Sequence, residues 1–337
     1  MGIIYYLIPD LLQRKFKVND FLKSILKGQG LSYLKNNVFR QSRPVGGIKV
    51  MYQHCMMLQE LGYEAYPLIM GKYVGNFFGY DITLKHIKDV GYELSSKDVV
   101  VSPEFLPYLG LEFDNCLKVL FNQSQSWLYL ESRLKKNDKD KNYLELGYDY
   151  VLSCSEFLSR LLEKEQNISS CPITNGIDIN KFFQKPELRL KGRVLALSRK
   201  NPEHINNIIQ ASKGLGFEFR VVDGLTEEEL IYEYQQADVF LATGYPEGFG
   251  LPQLEAMLCG CVVIGFSGGG GDEYMINNLT ALVSPDGDCA DVVSNLKVLE
   301  NDEDLKEMIR ENGYEKASLY TLENMKRMLK DFYVKLM

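Results

Sequence analysis

Two glutamates stand seven residues apart in GYPEGFGLPQLEAMLCGCVVIGFSGGGGDE, residues 244–273: Glu247 just before a Gly-Phe-Gly turn, Glu255 shortly after a proline. A glycine turn running into a helix N-terminus offers free backbone N–H groups and the positive end of a dipole, and that combination binds phosphate. Pro252 suits the first position of such a helix, and Gly248 and Gly250 let a ligand approach the backbone. Two carboxylates beside a diphosphate would repel it, so they make sense when they face hydroxyls and cations neutralise the phosphates. A carboxylate accepts two hydrogen bonds from a vicinal diol, as the acidic residue of dinucleotide sites does with ribose. Glu255, expected in the first helical turn, is placed for a ribose, and Glu247 for a sugar on the other side. Each has a plainer reading alone: a first-turn Glu stabilises the helix dipole by roughly 0.3–1 kcal/mol without any ligand, and a loop Glu can be merely solvated. Both together, framed by GFG, proline and the later GGGGDE, point to a ligand site.

The elements that must carry this loop alternate between short apolar runs and helical patterns, the signature of parallel sheets wrapped by helices. The first half predicts strands at 2–9, 64–70, 98–104, 117–123 and 148–155, with a helix between the first two in GGIKVMYQHCMMLQELGY, stopped by Gly62. The second half predicts strands in RVLALSRK, FEFRVVDG, ADVFLATG and CVVIGFSG, and a helix in TEEELIYEYQQA with Thr226 as N-cap. The segment SSCPITNGIDINKFFQKPELRLKG mixes Pro, Asn, Gly and charge as a hinge does. The expected organisation is one domain over 1–172, a second over 173–320 and an amphipathic tail over 321–337.

A chain of 337 residues is long for one core and comfortable for two. A net charge of −7 argues against nucleic acid as the main partner. Seven cysteines without a CxxC spacing fit a reducing compartment. The opening MGIIYYLIPDLLQRK lacks the charge order of a secretory signal, and no apolar run is long enough for a bilayer. The expected location is cytoplasmic. One segment stands apart: residues 11–43 carry eight Lys/Arg against one acid, Asp20, beside the apolar Phe21, Leu22, Ile25 and Leu26. A basic amphipathic helix of this kind can make peripheral contact with an anionic membrane, although a solvated insertion is the commoner meaning. His54 and His86 read as core-edge or surface histidines without a role, and PDGDCAD (285–291) as a loop that lacks the closing Glu of a calcium site.

PEGFGLPQLEAMLCGCVVIGFSGGGGDE closely resembles the donor site of retaining GT-B glycosyltransferases of the family-4 type, whose signature is E-x7-E. ITNGIDINKFF, VLALSRKNPEH and PVGGIKV resemble further segments of that family, so the likeness covers roughly residues 44–70 and 171–285. The wording is nearest to bacterial enzymes that build surface polysaccharides, some of them rhamnosyl-transferring. The resemblance implies an α/β GT-B fold, two Rossmann-like domains facing each other across a cleft. It implies that Glu247 engages the donor sugar and Glu255 the ribose. Gly248, Phe249, Gly250 and Leu251 would supply backbone donors, Arg199 would meet the diphosphate, and Gly46 and Gly47 would approach the phosphates from the other domain. Two departures stand out. Where the family places a Lys five residues after the Arg, this chain has His204, with Lys200 as the replacement candidate. Where the family often carries a His near the reacting centre, this chain offers Asn122 and Gln123, which can position hydroxyls but not transfer protons.

The reaction implied moves a sugar from a nucleoside-diphosphate sugar to a hydroxyl of a glycan or lipid-linked acceptor, with retention and with neither metal nor other cofactor. Alternatives are a sugar-nucleotide epimerase of the same architecture and a non-catalytic donor-binding subunit with a decayed site. A nicotinamide-dependent dehydrogenase is disfavoured, because no GxGxxG follows the first strand.

Overall fold

The computed structural model describes residues 2–9, 18–26, 30, 46–71, 80–128 and 134–337. Most of the basic segment 11–43 lies outside them. The chain divides into two compact units, the first Met1–Leu120 with Gly147–Asp149 and Leu336–Met337, the second Phe121–Leu146 with Tyr150–Lys335.

In the first unit, β1 (Ile4–Ile8) is flanked in parallel by β2 (Ala65–Ile69) and β4 (Val99–Pro103). A two-residue strand, β3 (Lys85–His86), extends the sheet beyond β2. All five residues of β1 and of β4 are buried, which is why IYYLI and VVV read as apolar runs rather than alternating ones. Helix α1 spans Val18–Leu26, and α2 (Gly46–Glu60) makes the crossover from β1 to β2. Beyond its last turn, Gly62 takes φ +87°, the left-handed conformation that glycine adopts without strain. The core on one sheet face gathers Tyr5, Leu7, Leu68, Ile87, Val100 and Phe113.

His54 is fully buried, against the expectation of an edge or surface position, with Nδ1 3.1 Å from the Tyr6 hydroxyl. Burial lowers its pKa to about 3, so it is a neutral core residue. His86 caps the short α3 (Ile87–Val90), its Nδ1 accepting from the Lys88 amide.

The second unit opens at the end of β5 (Leu117–Asn122). After α4 (Tyr143–Leu146) comes β6 (Tyr150–Ser153), which pairs in parallel with β7 (Cys171–Pro172) through α5 (Glu156–Gln166). A five-stranded parallel sheet follows in the order β12-β11-β10-β8-β9. Its strands are β8 (Arg193–Leu197), β9 (Glu218–Val222), β10 (Val239–Ala242), β11 (Val262–Phe266) and β12 (Leu282–Ser284). They are joined by α6 (Pro202–Ala211), α7 (Glu227–Gln236) and α8 (Leu251–Leu258). Three helices close the chain: α9 (Cys289–Asn301), α10 (Glu303–Ala317) and α11 (Leu322–Leu336). Thr226 caps α7 in a reciprocal pair with Glu229. PDGDCAD is a helix start rather than a plain loop: Asp288 Oδ1 accepts from the amides of Ala290 and Asp291.

A buried ionic cluster fixes the foot of β10. Asp238 receives Arg310 Nη2 at 2.7 Å and Lys306 Nζ at 3.3 Å, and the Gly192 amide at 2.9 Å. Arg310 also donates to the carbonyl of Gly260, just past the end of α8. Burial alone would raise the Asp238 pKa, but the Gly192 N–H and the two cations outweigh it and leave the carboxyl below its usual range.

Candidate active site

β8, β10 and β11 are adjacent, so the loops leaving their carboxyl ends are neighbours, the place where open α/β sheets bind ligands. These loops are 198–201, 243–250 and 267–270, and side chains clamp them to one another. Asn201, itself left-handed at φ +47°, donates its side-chain amide to the carbonyls of Thr243 and Tyr245, both at 3.0 Å. Lys200 Nζ reaches the Pro246 carbonyl at 3.0 Å, across the cis Tyr245–Pro246 bond. The Glu247 amide donates to Gly268 O at 2.9 Å, and the Gly270 amide returns to Glu247 O at 3.2 Å. Gln125 adds its side-chain amide to Gly268 O at 2.6 Å, and Ser155 Oγ bonds Gly248 O at 2.7 Å.

The GFG turn is shaped from inside. A Cβ on Gly248 would stand 2.1 Å from the Gln123 carbonyl oxygen, so this glycine serves the chain's own packing, whatever ligand approaches it. Gly250 is left-handed at φ +86° and caps α8. Phe249 is buried, its ring centroid 5.6 Å from that of Tyr274 and 5.7 Å from that of Tyr320, so only its backbone is available to a ligand. The Tyr274 hydroxyl lies 2.7 Å from Phe249 O and 2.5 Å from Gly250 O. In a trans peptide the N–H points opposite to the C=O. With the carbonyls of 248, 249 and 250 turned to Ser155 and Tyr274, the amides of Phe249, Gly250 and Leu251 point the other way. Among the described residues, none of the amides of 248–251 has a protein acceptor.

Helix α8 begins at Leu251, so Pro252 is its second residue and Glu255 its fifth. Glu255 therefore sits in the second turn, one step beyond the expected first. The dipole explanation weakens accordingly, because that effect fades after the first turn. Its carboxylate takes Oε2 to the hydroxyl of the fully buried Tyr234 at 3.3 Å, and that hydroxyl's pKa is pushed well up by burial and by Glu255. Glu247 Oε1 pairs with Lys200 Nζ at 2.7 Å. Gly244 makes room for the pair: a Cβ there would come within 2.9 Å of Glu247 Oε1.

Of the other expected residues, Arg199 is exposed and has no hydrogen bond or ion pair among the described residues. His204 is held elsewhere, with Nε2 2.9 Å from the Tyr245 hydroxyl and Nδ1 3.2 Å from Cys289 Sγ. Its ring also meets Phe266 edge-on. The cation on Glu247 is thus Lys200, while His204 braces Tyr245 from below the loop. Asn122 is fully buried at the end of β5, its backbone carbonyl taken by the Cys154 amide at 3.0 Å. No atom of its side chain reaches the surface to position a hydroxyl. Gln123 is half-buried and touches Gly248 through its backbone. Gly46 and Gly47 are the first two residues of α2 in the first unit.

The supports that sequence reasoning passes over are Asn201, Gln125, Ser155, Tyr234, Tyr274 and Glu273. Glu273, the acid closing GGGGDE, bonds the Phe157 amide at 2.6 Å and caps α5. Burial raises its pKa. Asn201 is the one with a readable signal, an Asn directly before a Pro at a strand-to-helix turn.

Residues 184–316 match the model for the family described as glycosyl transferases group 1. The alpha-1,6-glucosyltransferase of Actinobacillus pleuropneumoniae serotype 7 is 26% identical over 251 residues, which cover 67% of this chain and 71% of that protein. Among solved structures, the sucrose-phosphate synthase of Thermosynechococcus elongatus aligns with 100% of this chain and 99% of its own, at a TM-score of 0.73 and 14% identity. Anabaena HepE in complex with UDP aligns with 99% of this chain and 100% of its own, at 0.72 and 14%. Those two likenesses establish the fold, α/β with parallel sheets in the GT-B arrangement. The chain carries a group 1 glycosyltransferase domain over residues 184–316, and is a glycosyl-transferring enzyme.

Proposed function

We propose that the chain is a retaining glycosyltransferase that moves a sugar from a nucleoside-diphosphate donor to a hydroxyl of a glycan or lipid-linked acceptor. The observation that carries this reading is the row of amides at 248–251, which have no acceptor among the described residues and open α8 between Glu247 and Glu255. Amides without a protein acceptor at a helix start suit an anionic diphosphate. The carboxylates on either side suit the hydroxyls at its two ends: Glu255 the ribose, Glu247 the transferred sugar. HepE, whose structure contains UDP, has the same fold.

In the proposed reaction the bond from the anomeric carbon to the diphosphate breaks, and a bond to the acceptor oxygen forms on the same face. The acceptor proton passes to the departing diphosphate oxygen, so no side-chain base is required. Charge grows on the leaving group, and preorganised N–H groups and guanidinium charge stabilise it most. Arg199, exposed and uncommitted, supplies a fixed planar donor. Lys200, 2.7 Å from Glu247, keeps that carboxylate compensated before the donor arrives and can turn to the phosphate when sugar hydroxyls take its place.

The test is to incubate the protein with nucleoside-diphosphate sugars and a soluble hydroxyl acceptor, and to follow nucleotide release and the anomeric configuration of the product by NMR. The reading expects release from one donor, an anomer matching the donor's, and at least a hundredfold loss in Glu247→Gln. An inverted product overturns retention, and an epimerised sugar nucleotide formed without acceptor would favour an epimerase.

A further inference from the structure

At the amino ends of three adjacent strands the first unit holds a cavity of about 410 Å³, within the size range of small-molecule sites. Ile3, Glu64 and Asp98, the residues just before β1, β2 and β4, stand in its wall. It therefore lies at the end of this sheet opposite the carboxyl ends of the strands. Lys85 of β3, Asp89 of α3 and Glu93 complete the charged lining, and four carboxylates against one ammonium leave it a formal −3.

These charges are not spent on one another. Asp98 is committed to backbone, its Oδ1 accepting from the Ile3 amide at 2.7 Å and its Oδ2 from the Ser95 amide at 2.9 Å. Glu64, Asp89 and Glu93 are exposed, and their side chains have no hydrogen bond or ion pair among the described residues. Lys85 Nζ lies 4.9 Å from the centre of the Tyr66 ring, so this wall already receives a cation on an aromatic face. Tyr5 is 5% exposed, and its hydroxyl has no hydrogen-bond partner among the described residues. Burial, and then Asp98, Tyr66 and Glu64, push its pKa up, so a neutral hydroxyl is turned to the acidic wall of the cavity. A buried phenol oxygen left without a donor is what a ligand N–H can satisfy. Between the charges the lining is apolar, with Val90 and Leu94 packed against the core of the same sheet face.

Two simpler occupants fit less well. Among the described residues no three acidic, His or Cys side chains are grouped to hold a metal ion. A neutral sugar would leave the negative lining uncompensated, whereas an anionic wall gathers organic cations. We propose that this cavity binds a short aliphatic polyamine, its ammonium groups on Glu64, Asp89 and Glu93, one of them donating to the Tyr5 hydroxyl, and its methylenes against Val90 and Leu94. The inference goes beyond the transfer reaction and does not depend on it, because binding is read without any sugar nucleotide.

The experiment titrates spermidine into the full-length protein by calorimetry. Saturable one-site binding that weakens as salt rises is expected. Glu64→Gln combined with Glu93→Gln should weaken it about tenfold, and Tyr5→Phe, which keeps the ring, by roughly tenfold or more. Glu311→Gln combined with Glu315→Gln, on exposed residues of α10, removes the same charge elsewhere and should keep the wild-type affinity. Circular dichroism checks that the variants fold. A wild type without saturable binding overturns the proposal, as does a Glu64/Glu93 variant that binds no more weakly than the control, or a Tyr5→Phe that binds like the wild type. Magnesium chloride that displaces spermidine at equal concentration reduces the effect to ionic screening and overturns it too.

Discussion

Gly248→Ala tests how the donor loop is built. The added Cβ would lie 2.1 Å from the Gln123 carbonyl oxygen, 2.8 Å from its carbon and 3.0 Å from Leu158 Cδ1. Comfortable separation is about 3.5 Å, so the loop or the strand end must retreat by about 1.4 Å. The obstacle is backbone at the end of β5, and the loop is tied on the same side by Ser155 Oγ. Overpacking of this kind costs about 1–3 kcal/mol. The larger effect is on chemistry, because the amides of 249–251 move with the loop and a displacement of ~1 Å costs on the order of a hundredfold in rate. Gly62→Ala is the matched control. Its φ is +87°, but nothing lies within 4 Å of the added Cβ, so it should cost a comparable 1–2 kcal/mol or so of backbone strain and leave turnover intact. Urea unfolding and donor turnover on both variants decide the matter. If Gly248→Ala keeps wild-type turnover, or loses no more than Gly62→Ala, the close approach of the loop to Gln123 is not what positions the amides.

Arg310→Met should destabilise by about 3–5 kcal/mol, because it strands Asp238 in a buried site with Lys306 as its remaining cation; urea titration measures it. Since the folded Asp238 pKa is lowered, its contribution is present above about pH 4 and is lost as pH falls through the folded value, so the wild type and Arg310→Met should converge in acid. Lys200→Met should leave the unfolding free energy within about 1 kcal/mol of wild type, as partly exposed pairs contribute little. It should cost roughly tenfold in kcat/KM, the worth of a charged hydrogen bond, and an unchanged value would remove Lys200 from the site. Tyr234→Phe should raise the donor KM several-fold with kcat nearly unchanged, because it removes the hydroxyl that donates to Glu255 Oε2 at 3.3 Å without touching the sugar end.

Much of the architecture could be read from residue types because the strands are buried on both faces. β1, β10, β11 and the first three residues of β4 appear as apolar runs, and all four strands lie within two residues of the segments predicted for them. The strands that escaped, β3 and β7 with two residues each and β12 with three, are too short to carry any periodicity. Residue contacts distant in sequence were equally hidden. Asp238 and Arg310 stand 72 positions apart, and His204 finds its partners 41 and 85 positions away. Nothing local distinguishes His204 from a phosphate ligand, whereas the structure shows both ring nitrogens engaged. Glu255 stands one residue deeper in the helix than Pro252 at the first position predicts, because the left-handed Gly250 lets Leu251 begin the helix. The two glutamates stand out in the sequence, since their types and spacing around a glycine turn have few purely structural uses, and their part in holding a donor is the proposal made above. What they rest on, Asn201, Tyr234, Tyr274 and Gln125, is set by tertiary contact and had to be seen.

The most direct test of the central claim is binding of a panel of nucleoside-diphosphate sugars to the wild type and to Glu255→Ala, read as thermal stabilisation. At one hundred times the dissociation constant a ligand contributes about 2.7 kcal/mol, a shift of several degrees. The account predicts that one sugar nucleotide stabilises the wild type and that Glu255→Ala, folded by circular dichroism, loses most of the shift. Equal shifts in the two proteins, or none in the wild type, would mean that the carboxylate on α8 does not hold a donor.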